Sequence, residues 1–149
     1  MTAAQGYVEL RMPEEALREL QSLPVEDARR MDVMQLMLLL LMQLGRWHDG
    51  VELCQTMRSE EPDSTTGYIH GAFCLHELGQ TREAKELLLT GPGALRQEAT
   101  FYYNMGCYDA VLGNVDEARA SLERSFCMDE RFREIARHDP DLAAVHDLP

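Results

Sequence analysis

The pair Leu-Gly recurs at Leu44-Gly45, Leu78-Gly79 and Leu112-Gly113, at a strict spacing of 34 residues, and Leu10-Arg11 falls in the same register one period earlier. Five residues after Arg11 and after each glycine stands a small residue: Ala16, Gly50, Ala84 and Ala118. An acidic residue precedes each of these (Glu15, Asp49, Glu83, Glu117), and an apolar one lies four beyond it (Leu20, Cys54, Leu88, Leu122). Four copies in one frame without a slip define a tandem repeat. A fixed period of this size means a stack of supersecondary units, each burying its apolar face against its neighbours.

Each unit reads as two helices and a tight turn. Before the glycine, apolar residues recur at helical spacing, as at Met34, Met37, Leu38 and Leu41, or at Tyr68, Ala72 and Leu75. The glycine stops the first helix because it alone adopts a left-handed conformation cheaply. Acidic residues then fall in the first turn of the second helix, where the positive end of its dipole favours them. Asn114-Val115-Asp116-Glu117 has the pattern of a capping box with Glu117 reaching back. Ala or Gly five residues after the turn lets the two helices approach closely, and a larger side chain there overpacks the contact at a cost of roughly 1–3 kcal/mol.

With these motifs the chain resembles the tetratricopeptide repeat family. The unit from Met31 to Ser64 carries Gly45, Gly50 and a closing Pro62; Thr65 to Glu98 supplies Tyr68, Ala72, Gly79 and Ala84; Ala99 to Phe132 has Tyr102-Tyr103-Asn104-Met105-Gly106 with Gly113 and Ala118. The resemblance covers about residues 3–132 and implies an all-α, right-handed α-α superhelix. It divides the 149 residues, read as a single domain, into an N-terminal half-repeat (3–30), repeats 31–64, 65–98 and 99–132, and a C-terminal cap (133–149). The first unit lacks most of its opening helix, has Arg11 at the turn, and begins its second helix with Pro13, which the first turn tolerates. Gly91-Pro92-Gly93 cuts one second helix short. In the tail, Phe132, Ile135 and Ala136 form one short apolar helix, and Asp139-Pro140-Asp141 restarts another with Leu142 and Val145 on one face. That aspartate-proline-aspartate-leucine segment also resembles the terminal element of a bacterial subgroup of repeat proteins, and it supplies the polar cap that a solenoid end needs.

Charge narrows the partners. Asp plus Glu number 26 against 14 Lys plus Arg, a formal net charge of -12, and Lys85 is the only lysine. Nucleic acid and anionic membrane surfaces both need clustered cations and are excluded on that ground. The Val33–Leu44 stretch is too short to cross a bilayer, which takes roughly 20 apolar residues. The N-terminus has no leader pattern. Cys54, Cys74, Cys107 and Cys127 form no CxxC pair and are read as reduced thiols in a cytoplasmic protein.

Nothing points to chemistry. There is no phosphate-cradling glycine loop and no recognisable nucleophile setting. His138, Asp139, Asp141 and His146 match no metal motif and are assigned to the cap, so neither a metal nor another cofactor is expected. Met31, Met34, Met37 and Met42 are read as core filler. His70 and His76 are read as surface or internally satisfied residues.

The family resemblance implies that first helices line the inner wall. By phase the wall carries Gln35, Leu39 and Met42, then Thr66, Ile69, Phe73 and Glu77, then Tyr103, Cys107 and Val111. It is largely apolar. Relatives that hold acidic tails in a carboxylate clamp place Lys, Arg and Asn there, whereas this chain has Thr66, Ile69, Thr100 and Cys107, with Asn104 alone matching the chemistry. The resulting reading is a protein-interaction module whose concave face, at Leu39, Met42, Ile69, Phe73, Tyr103, Cys107 and Val111, binds an apolar or amphipathic peptide or helix with neutral or basic flanks. An acidic tail is disfavoured. Gly45, Gly50, Gly79, Ala84, Gly113 and Ala118 are assigned to building the repeat. The alternatives are a scaffold that dimerises through the methionine helix or the same wall, a chaperone for secreted subunits, and a metal-dependent enzyme using His138 and His146.

Overall fold

The computed structural model describes residues 12–145 and contains, among them, helices and turns but no strand. The helices are α1 (Pro13–Gln21), α2 (Val25–Ala28), α3 (Met31–Gln43), α4 (Trp47–Glu60), α5 (Thr66–Glu77), α6 (Thr81–Leu89), α7 (Ala99–Val111), α8 (Val115–Met128) and α9 (Arg131–Arg137). Short 3-10 helices span Gly93–Gln97 and Pro140–Val145. The opening helix of the half-repeat and Arg11 fall outside the described residues.

Three turns carry the periodicity. Gly45, Gly79 and Gly113 have φ of 68°, 81° and 85°. At each, the glycine amide and the next amide reach back across the helix end: Gly45 N–H to Met42 O (3.1 Å) and Arg46 N–H to Leu41 O (2.9 Å), then Gly79 to His76 (2.9 Å) and Gln80 to Leu75 (2.9 Å), then Gly113 to Ala110 (3.2 Å) and Asn114 to Asp109 (2.8 Å). This is the Schellman arrangement, which satisfies carbonyls that the helix end leaves orphaned. The chain emerges each time ready to start a helix, and α1, α4, α6 and α8 begin at residues 13, 47, 81 and 115, a constant 34 apart.

Four residues into each second helix the small residue is buried: Ala16, Ala84 and Ala118 at 0% exposure, with Gly50 alongside them. A Cβ on Gly50 would stand 2.8 Å from Cys74 Sγ, so α4 and α5 approach more closely there than an alanine permits. The apolar partners four residues on, Leu20, Cys54, Leu88 and Leu122, are buried as well. The capping box expected at Asn114 is not made. Asn114 makes no side-chain cap bond, and its Nδ2 instead donates to Asp109 Oδ1 at 3.0 Å. That carboxylate, 3% exposed, also accepts from Lys85 Nζ at 2.6 Å, tying α6, α7 and the turn after α7 together.

The core lies in three clusters along the stack. Ala16, Leu17, Leu20, Leu40 and Leu41 join α1 to α3; Met34, Leu38, Cys54 and Met57 join α3 to α4; a larger cluster runs from Ile69 and Ala72 through α7 and α8 to Leu142 and Val145. Met34 is buried, and Met31, Met37 and Met42 pack partly buried against these clusters. Helix α6 stops at Leu89 before Gly91-Pro92-Gly93. In the tail, the short helix expected at Phe132, Ile135 and Ala136 is α9; Ala136 is buried, while Ile135 stays 51% exposed. The second tail element is a 3-10 helix that buries Leu142 and Val145.

Two substitutions test the packing. Gly106→Ala gains helix propensity of up to about 1 kcal/mol, yet its Cβ would stand 2.6 Å from Leu122 Cγ. We expect net destabilisation of about 1–2 kcal/mol, read from the urea midpoint. Lys85→Met strands the buried Asp109 carboxylate beside Asn114 alone and costs about 3 kcal/mol; adding Asp109→Asn restores part of it.

Candidate functional site

Helices α3 and α5 stand on one side of the stack and leave a cavity of about 610 Å³ between them. Its walls are Gln35, Leu38, Leu39, Met42 and Gln43 of α3, Trp47 at the start of α4, and Thr66, His70 and Phe73 of α5. The lining contains no Asp, Glu, Lys or Arg. Trp47 enters because the Gly45 turn starts α4 directly behind α3, and its ring meets Phe73 edge-on at 5.9 Å between centroids. Leu39, 47% exposed, presents an aliphatic edge at the mouth. Burial holds the His70 imidazole below its ordinary value of 6.5, against an opposing pull from the Glu98 carboxylate, so at neutral pH the cavity is uncharged.

The wall expected to run from Leu39 to Val111 is divided. Leu39, Met42 and Phe73 line the cavity. Ile69, 8% exposed, packs into the large core cluster behind it. Tyr103 and Cys107, 6% and 4% exposed, lie beneath the chain's own C-terminal segment. Tyr103 Oη donates to Asp139 Oδ2 at 2.6 Å, Cys107 Sγ approaches the same oxygen at 3.6 Å, and His76 Nε2 meets Asp141 Oδ2 at 2.8 Å. An ionised carboxylate only accepts, so Nε2 of His76 carries the proton, while its Nδ1 pairs with Thr81 Oγ1 at 2.9 Å. Val111 is exposed and joins neither group. Asp139 is thus held from α7 and Asp141 from α5, by a hydroxyl, a thiol and an imidazole, with no Lys or Arg in these contacts.

Cys54, Cys74 and Cys107 are buried thiols. Burial pushes Cys54 up to about 12, with Cys74 adding to it, and Cys74 up to about 11, so both stay protonated at neutral pH. Burial, and then the Asp139 charge, raises Cys107 as well; burial and the hydrogen bond to Asp139 raise Tyr103. Among the described residues no three His, Cys, Asp or Glu converge as a metal site. His138 pairs with Glu134 at 3.3 Å, while His146 falls outside the described residues. No helix among the described residues is long and apolar enough to cross a membrane.

Trp47 is not singled out by the sequence, and His70 reads there as a surface or internally satisfied residue rather than as part of a site. A phase reading confined to first helices omits Trp47, which opens a second helix. His70 lies on the face shared by Thr66 and Phe73, a signal present in the heptad spacing itself.

No family model and no curated protein matches the chain in sequence. Solved structures do match its fold. The crystal structure of MamA aligns with a TM-score of 0.79 at 15% identity, over 92% of this chain and 80% of that one. The "41-end" form of MamA from Desulfovibrio magneticus RS-1 aligns with a TM-score of 0.77 at 18% identity, over 91% and 76%. MamA MSR-1 C2 gives 0.73 at 17%, over 87% and 74%. These likenesses establish the fold: an all-α helical-repeat solenoid of tetratricopeptide type.

His70 sets a pH signature. Its folded value is lowered, so the unfolded chain binds a proton that the folded one refuses in the window below 6.5. Its contribution to stability is therefore present above that value and is lost as pH falls through the window. In His70→Gln, the urea midpoint should decline less than in the parent between about pH 7 and 5.

Proposed function

We propose that this chain is a protein-interaction module without chemistry of its own. The cavity between α3 and α5 receives an apolar side chain of a peptide or amphipathic helix whose flanks are neutral or basic. The observation that carries this reading is an uncharged cavity, lined by aromatic and aliphatic groups, on a chain of net charge -12. Apolar anchors gain from leaving water there, and acidic flanks are repelled by the surrounding field. Leu39, Met42 and Phe73 make the contact, together with Trp47 and His70; Ile69 packs into the core behind them, and Tyr103 and Cys107 hold the C-terminal segment instead. The methionines of α3 are largely occupied in internal packing, which favours the cavity over a methionine face as the contact surface. In this reading the repeats run 31–64, 65–98 and 99–132 within one domain, and the setting is the reducing cytoplasm, where the four cysteines persist as thiols.

The single tryptophan is a built-in reporter. Amphipathic helical peptides with one Leu or Phe anchor and Lys or Arg flanks should shift Trp47 emission to the blue in a saturable titration. Phe73→Ala should weaken that binding about tenfold or more, a loss of about 1.4 kcal/mol, whereas Val111→Ala should leave it unchanged. Equal affinity of the parent, Phe73→Ala and Leu39→Ala chains overturns the assignment.

A further inference from the structure

The C-terminal segment is held on the α5–α7 face as a ligand is held. Its own bonds are local: Leu142 N–H donates to Asp139 O at 3.1 Å, and Asp141 N–H donates to Asp139 Oδ1 at 3.0 Å. Its anchoring partners come from far away in sequence, namely Tyr103, Cys107 and His76, and the donors belong to two helices. Leu142 and Val145 fill apolar space beneath, at 4% and 1% exposure. Neither carboxylate has an arginine or lysine among these contacts, and Glu77 stands beside His76 in sequence. The field of a chain with net charge -12 works against the two aspartates, and the contacts that hold them are the Tyr103 hydroxyl, the Cys107 thiol and the His76 imidazole, with Leu142 and Val145 buried beneath.

We propose that residues 139–145 are a detachable strap. They are an intramolecular ligand whose release opens a site on α5 and α7 for a segment of the same chemistry, carboxylate-proline-carboxylate-leucine, supplied by a second copy of this chain. A second copy is the partner that fits, because its tail matches the donors and the apolar slot by construction. While tethered, the strap competes at an effective concentration on the order of millimolar, so the site takes a segment from outside only in the open state. The inference does not depend on what fills the α3–α5 cavity; Phe73→Ala leaves it untouched.

Hydrogen exchange of the full chain tests detachment directly. Amides of residues 141–145 should exchange through a local opening, faster than those of α7. Exchange of the tail only together with α7, through global unfolding, overturns the proposal. The site is tested by fluorescence anisotropy with a labelled synthetic peptide of residues 137–149. The full chain carrying Asp139→Ala and Asp141→Ala, whose strap is disabled, should bind it about tenfold or more tighter than the parent, and adding Tyr103→Phe should remove that gain. Equal binding by parent and variant, or no binding by a variant that circular dichroism shows to be folded, overturns it. Should the variant fail to fold, the exchange result on the parent chain decides.

Discussion

Everything in this molecule is spaced by a left-handed residue at the end of a helix. A side chain at that position costs roughly 1–2 kcal/mol, and glycine removes the cost at Gly45, Gly79 and Gly113. With φ positive, the glycine's own amide and the next one satisfy the orphaned carbonyls and the next helix departs in a fixed direction. That direction places Gly50, Ala84 and Ala118 where two helices touch, and it sets Trp47 against Phe73. The cavity is thus a by-product of the turn: α3 and α5 are held apart as neighbours while the residue that opens α4 is pushed into the gap between them.

The repeat was legible because its causes are local. A glycine with positive φ and a small residue five positions later act within one turn of chain, so a 34-residue register records them directly. What escaped the sequence involves competition over distance. Asn114 has the composition of a cap, but the Asp109 carboxylate, already held by Lys85, claims its amide. Tyr103 and Cys107 have the phase of an open wall, but a segment more than 30 residues later lies on them. Ile135 belongs to the short apolar helix expected in the tail, yet α9 turns Phe132 and Ala136 to the core and leaves Ile135 exposed. Helical phase says which way a side chain points and nothing about what arrives there.

The unusual cation composition has a structural correlate. Of the 14 basic residues all but Lys85 are arginine. Among the described residues four of them lie over aromatic rings: Arg58 on Tyr68 at 5.5 Å, Arg96 on Phe101 at 5.3 Å, Arg124 on Tyr102 at 5.6 Å and Arg133 on Phe126 at 5.0 Å. A planar, weakly hydrated guanidinium stacks in this way more readily than an ammonium does. Arg58 also donates to Gly67 O at 3.1 Å, threading between α4 and α5 where Gly67 and Gly71 leave room. Lys85, by contrast, acts as a point charge on a buried carboxylate, the task for which a compact ammonium is suited.

The three core clusters are unequal, and they are joined in series. The smallest two hold α1, α3 and α4, while the largest gathers α5 to α9 and the tail. In a stack stabilised by nearest-neighbour couplings, each cluster answers mainly to the one beside it. The cavity sits on a boundary between them, with α3 on one side and α5 on the other. An occupant that bridges the two therefore does more than fill a hole: it welds one packed section of the column to the next.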